Sequence, residues 1–431
     1  MRSERSTALR PTVAIAVCLG LLGGLWALWP GDDDDRRQKA STRDSSTRPT
    51  MPASPSSPST PAVAWQVPAT GDGYAEGPGA WGLGDVVVQG RIDGLFAYRA
   101  GDGAVHWTRP APARQAVCAM SRSAQQGIGI IAYGRHDKPC STLVAVRTSD
   151  GKELWQRTLA DDGLVELTLA VGGSTLVTAE DGALRARSTT TGTQQWQRVP
   201  PRSCEARAVG ATAARTLLVE QCGKGARLIA LDTRTGKEQW GRPLPVESEV
   251  GAAVISVAPV VVAVTEDDQR GTQALLSFDD RGAPVARVPM SGPAGHLVLP
   301  AGAGPAIGNS GHPVVLGDLV ITLAERDMWP DVVVAHSLKD GRKAWEYRAG
   351  GTSMYGVARE PDGRIGVLIG GGNSAHVVLL DATGRVKDRI APDNGTGALL
   401  SISPELIPVT GGHVVVNHQS TRGEPGIFAI R

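Results

Sequence analysis

Along residues 63–431, apolar and polar positions alternate in short runs bounded by Gly, Pro, Asp and Thr, the pattern of half-buried strands joined by tight turns. One segment recurs five times with fixed spacing: Leu95 to Trp107, Leu143 to Trp155, Leu184 to Trp196, Leu228 to Trp240 and Val333 to Trp345. Each copy has an Ala two residues after its opening aliphatic residue: Ala97, Ala145, Ala186, Ala230 and Ala335. A Gly follows at the eighth position and the Trp at the twelfth. The apolar run, for instance Leu228-Ile-Ala-Leu-Asp, predicts a buried strand. The Asp-Gly or Thr-Gly pair predicts a hairpin turn with positive φ at Gly, and the Trp falls on the returning strand. Two further apolar runs precede each copy, such as Ala208-Val-Gly-Ala and Leu217-Leu-Val-Glu before Leu228, and complete a four-stranded antiparallel sheet.

The turn glycines Gly103, Gly151, Gly192, Gly236, Gly282, Gly341 and Gly384 are 48, 41, 44, 46, 59 and 43 residues apart, which is the period of propeller blades except for the 59-residue interval. Two copies are degenerate. The turns ending at Gly282 and Gly384 are one residue shorter, and Ala286 and Asp388 hold the expected Trp positions. The chain ends complement each other. Gly426-Ile-Phe-Ala429-Ile-Arg431 is a strand with no turn or Trp after it, and Val63-Ala-Trp65-Gln-Val-Pro is a Trp strand with nothing before it. Pairing them closes a ring of seven internal units and one composite unit, so that 369 residues divide into eight blades without free sheet edges. The expected fold is all-β, an eight-bladed β-propeller with a composite terminal blade.

Ahead of this region the pattern changes. Thr12 to Trp29 is uncharged and apolar, and as a helix it is long enough to reach across about 30 Å of hydrocarbon. Arg2, Arg5 and Arg10 precede it, Asp32 to Asp35 follow it, and Trp26 and Trp29 fall where an interfacial aromatic belt lies. Residues 1–11 are expected in the cytoplasm, 12–29 as a transmembrane signal anchor, 30–62 as a disordered linker and 63–431 as an extracytoplasmic propeller. A cleaved signal peptide and a lipoprotein signal are the alternatives. The run ends Leu28-Trp29-Pro30 without an A-x-A site, and Cys18 follows Val17 with more apolar residues beyond it. Between Ser41 and Pro61, sixteen of twenty-one residues are Ser, Thr or Pro, which is too polar to offset the entropy of ordering and is read as a semi-rigid stalk.

Lys and Arg number 44 against 43 Asp and Glu, a formal net charge of +1, so nucleic acid is not an expected partner. The 54 Gly, 29 Pro and 10 Trp beside only 3 Phe fit a turn-rich fold with selectively placed indoles.

The repeated pattern aliphatic-x-Ala-aliphatic-Asp-x-x-(Thr/Asp)-Gly-x-x-x-Trp resembles the tryptophan-docking repeat of quinoprotein-type (PQQ-like) eight-bladed propellers, over essentially all of residues 63–431. By match, the resemblance implies that Trp65, Trp107, Trp155, Trp196, Trp240 and Trp345 stack between neighbouring blades and hydrogen-bond through their indoles. The family includes outer-membrane-assembly lipoproteins and sensor domains as well as dehydrogenases. In the dehydrogenases the quinone rests against a disulfide of adjacent cysteines, with calcium and an Asp base close by. No two cysteines are adjacent here, and no residues match the calcium or base motifs, so no cofactor, metal or catalytic residue is assigned.

Cys118, Cys140, Cys204 and Cys222 fall into two pairs, each confined to one sheet, the first near an innermost strand and the second entering a third strand. Of three connectivities, 118 with 140 and 204 with 222 is favoured, as an oxidising compartment allows. Free buried thiols or a zinc site are the alternatives, the latter without C-x-x-C spacing. His296, His312, His336, His376, His413 and His418 lie in the second half as structural residues or as ligands around the funnel, without an H-x-H or H-E-x-x-H motif. Gly370 to Ser374 reads as a blade hairpin and not as a phosphate loop. The stretch from Met290 to Asp331, with Pro300 to Pro305, Met328 and Trp329, reads as a long loop and the site of functional elaboration. The expected function is a non-catalytic binding or scaffolding module for a protein, peptide or cell-wall ligand. A ligand sensor and a quinone-dependent dehydrogenase are the alternatives.

Overall fold

The computed structural model describes residues 63–69, 77–135, 138–159, 163–180, 182–266, 272–299, 312–327, 329–371, 374–390, 400 and 404–431. The expected membrane anchor and stalk, Pro300 to Pro305 and Met328 lie outside these residues. Among the described residues no helix is long and apolar enough to cross a membrane.

The described residues form eight antiparallel sheets, in six of which the strands follow one another in chain order. Blade 1 consists of Gly79–Gly82, Val86–Arg91, Gly94–Arg99 and Val105–Pro110. The first strands of neighbouring blades approach one another, which places them innermost around the axis. In blades 2 to 5 these are Ala116–Met120, Leu164–Gly172, Cys204–Ala211 and Val250–Val257, and in blades 7 and 8 Ser353–Arg359 and Pro404–Val409. Blade 8 is the composite one. Gly412–Asn417 and Pro425–Ile430 follow its inner strand, and Trp65–Pro68 from the other end of the chain adds the outermost strand, with Trp65 opposite Ala429. The ring therefore closes by pairing its two ends.

Eight apolar clusters hold the blades together, each drawing on two adjacent sheets, so that there is one at every seam. The period-two alternation of the strands explains this. In blade 4, Leu217 and Val219 pack toward blade 5 while Leu218 packs toward blade 3.

Blade 6 departs from the expectation of one long loop between Met290 and Asp331. Gly295–Leu297 and Val314–Leu316 both pair with Leu319–Glu325, and Ser291–Gly292 pairs with Gly295–Leu297. The extra length of the 59-residue interval therefore interrupts the innermost strand instead of extending a peripheral turn. Gly- and Pro-rich sequence concealed two short strand halves that register against a single partner. The Gly370 to Ser374 stretch bears out the hairpin reading, since Gly370 pairs with Ala375 and Gly371 with Ser374.

Strands alternate in direction, so turns joining first to second and third to fourth strands open on one face of the ring. Turns joining second to third strands, and the connections between blades, open on the other. We call these the docking face and the connection face.

Candidate functional site on the connection face

The repeat builds its own scaffold on the docking face. Each Trp of the repeat stands opposite the Ala of the same copy: Trp107 and Ala97, Trp155 and Ala145, Trp196 and Ala186, Trp240 and Ala230, Trp345 and Ala335. The small Ala leaves the indole free to lean over the next blade. There its Nε1 donates to a turn carbonyl: Trp65 to Ala100, Trp107 to Thr148, Trp155 to Thr189, Trp196 to Thr233, Trp240 to Asp280 and Trp345 to Ala382, at 2.7 to 3.0 Å. Its ring covers the turn glycine. A Cβ built on Gly151 would lie 2.5 Å from Trp107, and one on Gly192 2.7 Å from Trp155. These turns need glycine twice over, for the positive φ of 70° and 68° and for the ring contact.

The connection face is braced differently, by a disulfide in each of blades 2 and 4 and by buried polar side chains. Cys118 and Cys140 are joined in blade 2, and Cys204 and Cys222 in blade 4, as the spacing predicts. In both pairs one cysteine lies on the innermost strand and the other at or beside the turn into the third strand. Beside the second disulfide, the Gln221 amide donates to the carbonyls of Gly223, Gly225 and Ser248 at 2.7, 3.3 and 3.4 Å. Its oxygen accepts from Val250 N–H at 3.2 Å, so one side chain ties the blade 4 turn to the connection entering blade 5.

Glu266 continues the brace. It is buried at the end of the second strand of blade 5 and accepts from the N–H groups of Thr272, Glu247 (2.6 Å) and Ser248 (2.8 Å) and from the Ser248 hydroxyl (3.0 Å). Burial alone would raise its carboxyl, but these hydrogen bonds outweigh burial and hold it at about 2. Arg207, set on a bulge of the blade 4 inner strand, pairs with Glu205 and Glu249. Sequence reading missed Gln221, Glu266 and Arg207. The available signal was a polar residue closing an otherwise apolar run, as in Val260-Val-Val-Ala-Val-Thr-Glu266.

The histidines do not gather. His413 pairs with Glu360 and His418 with Glu405, each at 2.9 Å, and His296 with the Ser291 hydroxyl at 2.9 Å. Burial lowers His336 and His376, aided by Lys343 and Arg389. Trp329 is 47% exposed. Among the described residues the one grouping of metal-ligand types is Cys204, Glu220 and Cys222. Its sulfurs are bonded to each other, and its carboxylate faces Arg198 at 2.5 Å. The two disulfides bridge cysteines 22 and 18 residues apart. This donor set does not fit the quinone and calcium of the dehydrogenases.

These features define a tryptophan-docked, eight-bladed β-propeller with one covalently braced loop face. Residues 138–302 match the family described as outer membrane protein assembly factor BamB. Among solved structures the chain is similar to BamB from Moraxella catarrhalis, at 17% identity, covering 85% of this chain and 92% of that one, with a TM-score of 0.45. The computationally designed Ika8 protein (14% identity, 85% and 100% covered, TM-score 0.52) and Sqt1 of Saccharomyces cerevisiae (11%, 86% and 98%, 0.51) share the propeller fold. No curated protein matches the chain.

Proposed function

We propose that this protein is a membrane-tethered, extracytoplasmic propeller that binds a protein or peptide on its connection face and acts as a non-catalytic scaffold. The observation that carries the reading is the asymmetry between the faces. On the docking face six turns of similar sequence each hold a neighbouring indole. The connection face carries loops of unlike sequence, fixed in advance by two disulfides, Gln221 and Glu266. Pre-fixed loops lower the ordering cost of association, and loops on a rigid ring are where binding residues concentrate. The match of residues 138–302 to a family described as an assembly factor supports a protein ligand. The apolar run at 12–29, its basic leading flank and the disulfides support the tether and the compartment.

The test uses photo-crosslinking residues in intact cells, at Val199 and Lys224 on the connection face and at Thr190 and Lys237 on the docking face. Crosslinks to a discrete partner from the first pair alone support the reading, and crosslinks from the second pair alone overturn it. A membrane-impermeant thiol probe that reaches cysteines placed in residues 41–61 supports the topology, and failure to label them overturns it. Dye reduction on adding pyrroloquinoline quinone, calcium and an alcohol or sugar would sink the non-catalytic reading.

A further inference from the structure

Cys204 and Cys222 occupy directly opposed positions of the antiparallel ladder in blade 4, with Cα atoms 4.1 Å apart. Glu220 precedes Cys222 by two residues on the same strand, so the period of two turns its side chain to the same side of the sheet. Its Oε2 lies 3.9 Å from Cys222 Sγ, while its Oε1 accepts from Arg198 of blade 3 at 2.5 Å. One carboxylate oxygen is thus held by a cation and the other is aimed at sulfur. The two sulfurs and a carboxylate oxygen all lie within 4.8 Å of one another, and Glu220 is 1% exposed. The described residues bring no third donor of this kind to Cys118 and Cys140.

The bond between the sulfurs closes this donor set, and reduction opens it. In exchange with a dithiol, one thiolate of the reductant attacks a sulfur and its second thiol displaces the mixed disulfide. The reductant leaves as its own disulfide, and two protonated thiols remain on the chain. The ladder keeps them opposed, because Glu205 pairs with Gln221 on one side and Cys222 with Gly225 on the other. A tetrahedral zinc-type ion at its usual bond lengths sets two sulfurs and a carboxylate oxygen about 3.6–3.8 Å apart. The opposed thiols and the Glu220 oxygen meet that spacing with little movement. Cation binding releases the two thiol protons to solvent. Two thiolates, the carboxylate and the Arg198 guanidinium leave two net negative charges, which one divalent cation neutralises. We propose that the reduced protein binds one thiophilic divalent cation, of the zinc and cadmium class, through Cys204, Cys222 and Glu220.

The experiment reduces the full-length, detergent-extracted protein with dithiothreitol, removes the reductant under argon and titrates cadmium. Thiolate-to-cadmium charge transfer is followed in the ultraviolet, and bound metal by equilibrium dialysis. The reduced protein is expected to take one tight equivalent with the charge-transfer band, displaced by zinc and not by magnesium, and the oxidised protein none. Cys204→Ser with Cys222→Ser is expected to abolish that equivalent. Glu220→Gln is expected to weaken cadmium at least about tenfold, since even groups that only support a metal ligand contribute about 10–100-fold. Arg198→Met, which frees the Glu220 carboxylate and removes a like charge, is expected to tighten cadmium, a gain that misfolding does not produce. Absence of a tight equivalent in the reduced protein, its persistence in Cys204→Ser with Cys222→Ser, unchanged affinity in Glu220→Gln, or weaker binding in Arg198→Met overturns the proposal.

Discussion

The hydroxyl of Ser277 donates to the carbonyl of Leu338 at 2.7 Å, across the seam between blades 5 and 6. Leu338 stands three residues before its turn glycine, Gly341, where Ala100, Thr148, Thr189 and Thr233 stand before theirs. Those carbonyls accept from an indole. Blade 5 has Ala286 in its Trp position, and Ser277, paired with Ala286, takes the place of the motif's Ala. The hydrogen bond is retained although its donor has moved from the fourth strand to the third. Ser277 Oγ also accepts from Ala286 N–H at 3.1 Å. Ser277→Ala strands one buried and one half-buried backbone group and is expected to cost about 1–3 kcal/mol in urea unfolding.

The ring contact at the turn glycines can be separated from their backbone conformation. Gly192 and Gly182 have similar φ values, 68° and 62°, but a Cβ at Gly192 meets the Trp155 ring and one at Gly182 meets nothing within 4 Å. Both Ala substitutions carry the left-handed penalty, so the difference between them reports the contact. Gly192→Ala should destabilise by about 1–3 kcal/mol more than Gly182→Ala, the usual range for overpacking, as read from paired denaturant titrations.

The disulfide across blade 4 closes a separation of 18 residues. On the chain-entropy account such a loop contributes about 3 kcal/mol, so Cys204→Ala with Cys222→Ala should lower stability by about that amount. On the proposed function the same variant weakens crosslinking from Lys224, because the adjoining turn loses its brace. Unchanged crosslinking with lowered stability would assign the bond to the fold alone.

Glu266 makes the connection face acid-sensitive. Its folded-state carboxyl sits at about 2, below its ordinary 4.5, so the unfolded chain takes up the proton first as the solution is acidified. The stability that it contributes is complete above about 4.5 and is lost as pH falls toward 2. In Glu266→Gln the stability measured between these values should depend less steeply on pH than in the parent protein, and the variant should be less stable at neutral pH.

The periodic features of the chain were legible because they repeat. Trp, Gly and Ala at constant offsets declare a strand, a turn and a docking partner in each copy, and Trp65 without a preceding strand matches Ala429 without a following one. The features that occur once were not legible. Nothing local to Ser277 shows that its hydroxyl substitutes for an indole nitrogen. The inner strand of blade 6 is split by an insertion whose composition reads as loop. Arg122 and Ile255 meet only because the ring brings residues 133 positions apart to its axis. Gln221 and Glu266 brace loops that are distant in the alternation pattern, and period-two reasoning places them only on a face.

Blade 7 also lacks its indole, with Asp388 paired to Leu379 in the register position of Trp and Ala. The next blade is the composite one. Among the described residues no turn joins Ile430 to Trp65, so they place no turn glycine and no turn carbonyl beneath position 388. We expect Asp388→Trp to yield no stabilisation in the native chain order, since the indole has no partner across the seam. The partner can be supplied. Joining Arg431 to Val63 through Ala-Gly-Asp-Gly-Ala reproduces the spacing of Ala97 to Trp107 between Ala429 and Trp65, and the chain can be opened between the exposed Pro112 and Ala113. In that permutant Asp388→Trp should stabilise by about 1–2 kcal/mol relative to its effect in the native order, the range for a buried hydrogen bond with ring packing. Equal effects of the substitution in the two backgrounds, measured as a double-mutant cycle, would show that the missing indole of blade 7 is unrelated to the missing turn of blade 8.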